Sequence, residues 1–137
     1  METMFNYDDL IGIPFVDGGR DITGLDCWGL ALELFKRQGY IIHDYSISSE
    51  EAHVISDTMQ HDLNEMWQKI EEPKVGCLVI IRLAENEWAN HCGIYIGDGH
   101  FIHAYCHETG IVIDRVRKWK SRILGFYIPT ERALYND

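Results

Sequence analysis

Around Pro73 the hydrophobic pattern changes period, and this constrains the fold more than any other feature of the 137-residue chain. Upstream, apolar residues recur every three or four positions; downstream they gather in short runs rich in β-branched residues. Leu25, Trp28, Leu30, Ala31, Leu32, Leu34 and Phe35 form one broad apolar face. Glu33, Lys36, Arg37 and Gln38 lie opposite and Gly39 is a terminator, so a helix is predicted over 26–38. A second is expected from 48 to about 70, opened by a capping-box pattern at Ser48 and Glu51. Its residues Ala52, Ile55, Met59, Leu63, Met66 and Ile70 share a face that packs down, while His53, Asp57, His61 and Asp62 point out and Pro73 ends the element. Strand-like runs follow at 75–81, 90–96, 100–106, 111–114 and 123–128, with turns at Gly97-Asp98-Gly99 and at 107–110. A helical half followed by an antiparallel meander predicts an α+β fold, with the whole of 1–137 as a single domain.

Charge narrows the function classes. Twelve basic against 22 acidic residues leave a formal net charge of −10. That disfavours nucleic acid and anionic membranes as partners, since both need basic surface. No apolar stretch approaches the roughly 20 residues of a membrane span. The four cysteines lack CxxC spacing and the first residues lack a basic segment followed by an apolar run. Synthesis in the cytosol, without a signal peptide and with free thiols, is therefore expected.

Cys27 stands where the glycine-bearing stretch 18–24 enters the first helix, with Asp26 as its expected N-cap. A thiol in a first helical turn feels the positive end of the macrodipole, which favours the nucleophilic thiolate. His91 and His103 are the candidate base and orienting group. If Gly97-Asp98-Gly99 forms a three-residue loop, Ile96 faces His100, Gly93 faces His103, and the two imidazoles share a face as diagonal neighbours. If only Asp98 and Gly99 form the loop, the rings point to opposite sides, because side-chain direction has period two. In the first register His91 takes the Cys27 proton while His103 fixes its tautomer. Zinc is disfavoured although His91, Cys92, His100, His103, Cys106 and His107 cluster in sequence: adjacent strand residues face opposite ways and the short paired spacings of structural zinc sites are missing. No metal and no cofactor are expected.

Three blocks carry a resemblance: Gly12-Ile-Pro-Phe-Val-Asp-Gly-Gly19, Gly24-Leu-Asp-Cys-Trp-Gly-Leu30, and His91-Cys-Gly-Ile-Tyr-Ile-Gly-Asp-Gly-His-Phe-Ile-His-Ala104. Together, over about 8–128, they resemble the NlpC family of cell-wall cysteine peptidases. The resemblance implies a papain-like fold, with N-terminal helices packed on an antiparallel sheet. It implies Cys27 as nucleophile, His91 as base and His103 as third member, acting on peptidoglycan stem peptides between D-glutamate and the following diamino acid. Phe15, Asp26 and Trp28, which lie in the first two blocks, are the expected substrate-binding residues.

Two departures matter. Phe15 stands where cell-wall members usually carry tyrosine, so a hydroxyl expected near the oxyanion is missing and backbone donors such as the Cys27 N–H must serve. Trp28 replaces the usual serine, and Asp-Cys-Trp-Gly-Leu looks like the branch found in phage and prophage tail-tip assembly proteins. Ile42-His-Asp-Tyr45 is similar to an element of that branch. Tail proteins are then expected partners, and a phage-like particle the carrier of the enzyme. Two alternatives stay open: a weak or inactive structural component of a tail, and an acyltransferase or amidase using the same residues on a non-wall substrate.

Overall fold

The computed structural model describes residues 5–48 and 50–134. A 3-10 turn, Asp8–Leu10, leads into an extended segment and a two-stranded ribbon, β1 (Arg20–Asp21) with β2 (Gly24–Leu25). Helices α1 (Cys27–Arg37) and α2 (Ala52–Met66) follow, then strands β3 (Trp67–Ile70), β4 (Leu78–Ile81), β5 (His91–Gly97), β6 (His100–Cys106), β7 (Gly110–Arg115) and β8 (Ile123–Pro129). These six strands form an antiparallel sheet in the order β3-β8-β4-β5-β6-β7, so the fold is α+β as predicted.

Residues of alternate parity separate the two faces of the sheet. Leu78, Ile80, Cys92, Ile94, Ile102, Ala104 and Ile111 pack with Leu30, Ala31, Leu34 and Phe35 of α1 in the main core. Val79, Ile81, Phe101 and Trp119 form a second cluster. At the β7 edge the segment before the ribbon runs alongside: the Gly12 N–H donates to the Ile111 carbonyl and the Ile111 N–H to the Ile13 carbonyl, both at 2.9 Å.

The second helix departs from expectation at both ends. It starts at Ala52, and Ser48 donates its hydroxyl to Asp17 at 2.7 Å instead of capping the helix. It ends at Met66, because Trp67–Ile70 pairs residue for residue with Pro129–Phe126 of β8. Apolar spacing at Trp67 and Ile70 suits either structure; the open edge of β8 selects the strand. Asp62, expected in solvent, turns toward the protein and accepts a hydrogen bond from the Tyr45 hydroxyl.

Candidate active site

The site begins with a cap. Asp26 has extended backbone angles and its Oδ1 accepts the Gly29 N–H at 2.7 Å, which fixes Cys27 as the first residue of α1. The same carboxylate accepts the Gly18 N–H at 2.9 Å and Arg20 Nη1 at 2.7 Å. Arg20 in turn holds Asp44 through Nε and Nη2, at 3.1 and 2.9 Å. Loop, helix and the 44–45 segment are thus tied at one point. Burial pushes the Asp26 carboxyl up from its ordinary value, against the pull of the Gly29 N–H and Arg20.

The histidine pairing is decided by a bulge. The turn is a two-residue one, with Asp98 and Gly99 both at positive φ (51° and 75°) and Gly97 opposite His100. A regular ladder from that turn would separate the two rings. Instead Gly97 adopts a φ of 101° and the register shifts between Tyr95 and Gly97, so that Tyr95 faces Phe101 and Ile94 faces Ile102. The extra residue restores the face expected from a three-residue loop. His91 Nε2 then lies 2.8 Å from His103 Nδ1, with both side chains buried. Gly93 leaves the room: a Cβ there would lie 2.9 Å from the Phe101 ring and 3.1 Å from the His103 Cβ.

A fourth member extends the array. Asp114 Oδ2 lies 2.7 Å from His103 Nε2. It sits two residues along β7 from Val112, the partner of His103, and so on the same face. Burial and the neighbouring His91 push the His103 imidazole down to about 4, which outweighs the opposing pull of Asp114. His103 is therefore neutral at physiological pH, and its contact with Asp114 is an N–H···carboxylate hydrogen bond rather than an ion pair. The proton positions follow in sequence. A carboxylate only accepts, so His103 carries its proton on Nε2; His103 Nδ1 accepts from His91 Nε2, and the His91 Nδ1 lone pair is left to take the Cys27 proton, which gives a thiolate beside an imidazolium.

Cys27 is half-buried and its thiol lies well below the ordinary thiol range. The neighbouring Cys92 side chain and then the His91 imidazole favour the thiolate, and burial opposes both. Cys92 is fully buried on the helix side of the sheet, 3.5 Å from the Cys27 carbonyl oxygen, and its own thiol is pushed well above the usual range. The structure thus brings Cys27, His91 and His103 together and adds Asp114 and Cys92. Asp114 had one signal in the sequence, a carboxylate closing the strand-like run Ile111-Val-Ile-Asp114.

A cleft of about 300 Å³ opens at Cys27, and Phe15, Asp26 and Trp28 all line it. Phe15 packs edge-on against His107, with ring centroids 4.9 Å apart. Trp28 donates its indole N–H to the His43 carbonyl at 2.9 Å and meets Tyr45 and Trp67 edge to face. Asp26 lines the cleft with both oxygens already engaged. His91 and Cys92 point to opposite sides of β5, as the alternation requires.

Residues 12–127 match the model of the NlpC/P60 family. The chain belongs to the NlpC/P60 family. Among curated relatives of this NlpC/P60 chain, the murein DD-endopeptidase MepS/murein LD-carboxypeptidase of Escherichia coli strain K12 is 26% identical over 123 residues, covering 87% of this chain and 57% of the relative. The probable peptidoglycan endopeptidase LytE of Bacillus subtilis strain 168 is 28% identical over 118 residues, covering 85% of this chain and 30% of the relative. The chain thus spans only part of each relative. Among solved structures, the NlpC/p60 domain of the peptidoglycan hydrolase SagA aligns at a TM-score of 0.57 and 23% identity, covering 88% of this chain and 90% of that domain. NlpC2 from Trichomonas vaginalis aligns at 0.65 and 18%, covering 87% and 44%. These two likenesses concern the fold.

Proposed function

We propose that this NlpC/P60 chain is a cysteine endopeptidase of peptidoglycan, cleaving stem peptides between D-glutamate and the following diamino acid. The observation that carries the reading is the hydrogen-bonded array of His91, His103 and Asp114 ending at a lowered-pKa thiol on a helix N-terminus. Relatives named as murein and peptidoglycan endopeptidases support the substrate class. Asp62, an acidic side chain of the cleft wall, suits a substrate end that carries a free amine, as a diamino acid does.

In this mechanism the Cys27 thiolate attacks the scissile carbonyl carbon. The tetrahedral oxyanion is met by backbone N–H groups of the first turn of α1, since Phe15 offers a ring and no hydroxyl. His91 protonates the leaving amine, the thioester forms, and His91 then takes a proton from the water that releases the acid. His103 and Asp114 hold His91 in the productive tautomer throughout.

A phage or prophage tail is the proposed setting, with the particle carrying the enzyme from the cytosol to the wall. This part rests on the Asp-Cys-Trp-Gly-Leu resemblance. Mass spectrometry of fragments released from defined muropeptides tests the reading, with Cys27→Ala as the blank. The expected products are a fragment ending in D-glutamate and one beginning with a free diamino acid. Intact muropeptides after incubation with correctly folded protein would overturn it.

A further inference from the structure

The cleft at Cys27 is lined mainly by carbon. Ile47 of the preceding loop, Ile55, Met59 and Leu63 of α2, and Leu78 and Ile80 of β4 form its walls. The apolar face of α2 thus looks partly into open space. Ile55 and Met59 stay half-buried where the sequence pattern predicts a packed face.

Charge in the cleft is already matched within the chain. Arg20 is the one lysine or arginine among the described lining residues, and Asp26 and Asp44 occupy its guanidinium. Asp62 accepts from Tyr45. A carboxylate entering between the apolar walls therefore meets no free cation there and faces an acidic side chain. An uncharged apolar group meets neither cost and removes hydrocarbon surface from water.

We infer that this cavity is an acyl site, which binds an unbranched aliphatic acyl group and presents its carbonyl to Cys27. An engineered apolar cavity of about 150 Å³ holds benzene, so twice that volume takes a chain of about eight to ten carbons. With an ester as donor, the Cys27 sulfur bonds to the carbonyl carbon. The carbon–oxygen bond breaks, and the leaving oxygen departs with the electron pair and the proton held by His91. Water then attacks the thioester and gives a proton back to His91; the carbon–sulfur bond breaks, releasing the fatty acid and restoring the thiolate. The inference relies on Cys27 as a nucleophile and is independent of whether a stem peptide is the substrate.

The test is kcat/KM for p-nitrophenyl esters from acetate to decanoate, with intact-mass detection of the S-acyl adduct and Cys27→Ala as the blank. Each buried methylene should raise kcat/KM about threefold to fourfold until the cavity is full at about octanoate. Filling the cavity with Ile55→Trp or Met59→Trp should collapse the octanoate-to-acetate ratio. On the unaltered protein, 1-octanol should slow iodoacetamide alkylation of Cys27 more than 1-butanol does. A flat chain-length profile would overturn the inference, as would a ratio that survives filling in a folded variant or equal protection by the two alcohols. Muropeptide cleavage is scored separately, so failure of either reading leaves the other standing.

Discussion

The two walls of the cleft are built in opposite ways. On the sheet side, β5, β6 and β7 hold His91, His103 and Asp114 by backbone register, and each ring nitrogen between them has a partner at 2.7–2.8 Å. On the helix side, α2 presents Ile55 and Met59 to a cavity, and its apolar face is only partly covered. One wall is overdetermined, because a single slip would turn every side chain round. The other tolerates change, since little packs against it. The hydrogen-bonded array sits on the first and room for an occupant on the second.

The largest effect should come from removing the proposed nucleophile on α1 or the proposed base on the rigid wall. Cys27→Ala should abolish turnover, and His91→Ala should reduce it by about three orders of magnitude, both with unfolding curves near the parent's. Full activity in the His91 variant, measured as product release, would dismiss the proposed array.

Register comes next. Gly97→Val places a β-branched residue at a φ of 101°, which only glycine takes without strain. It should lower turnover about 100-fold and stability by about 1–3 kcal/mol. Deleting Ile96 removes the bulge while leaving Gly93 opposite His103, so that variant should keep most of its activity. Equal losses in the two would show that the bulge does more than set the register.

Asp114→Asn should cost about tenfold, because an amide can also donate to His103 and so permits the tautomer that blocks His91 Nδ1. The ¹⁵N shifts of the two imidazoles report the change directly. With Asp114 present and His103 at about 4, the array keeps its tautomers as pH rises from 5 to 8. The lowered Cys27 pKa means that the thiolate persists below the ordinary thiol range and is lost only as pH falls through its own value. Iodoacetamide labelling at pH 6 should therefore go to Cys27 before Cys77, whose thiol burial pushes up to about 11. Labelling of Cys77 or Cys106 first would contradict the assignment.

The smallest effect should be on the open wall. Leu34→Ala in α1, fully buried, should cost about 3 kcal/mol, and Met59→Ala in α2 less than about 1 kcal/mol, both by urea unfolding. Comparable losses would mean that α2 is packed as tightly as α1.

What could be read from the residues divides along the same line. Cys27 was legible because its signals are local: an N-cap, a first turn and an apolar face behind it. The strands of the meander were legible for the same reason. The pairing of His91 with His103 was legible as one of two registers, and only the conformation of Gly97 chose between them. Asp114 was missed because its meaning depends on which strand lies beside β6. The strand Trp67–Ile70 was read as helix because its apolar spacing fits both, and its partner β8 lies about 60 residues downstream. Asp62 was placed in solvent because helix period alone does not reveal a Tyr45 hydroxyl reaching over from a loop.

The short ladder between Gly12, Ile13 and Ile111 also bears on solubility. A sheet that stops at β7 offers a row of bare donors and acceptors to any extended chain that drifts by, and Ile113 there is 36% exposed. With the Ile111 N–H and carbonyl both taken, a second molecule cannot extend the sheet in register along that edge. Shortening the chain past Ile13 would unseal it, and the first symptom would be concentration-dependent aggregation rather than a change in chemistry at Cys27.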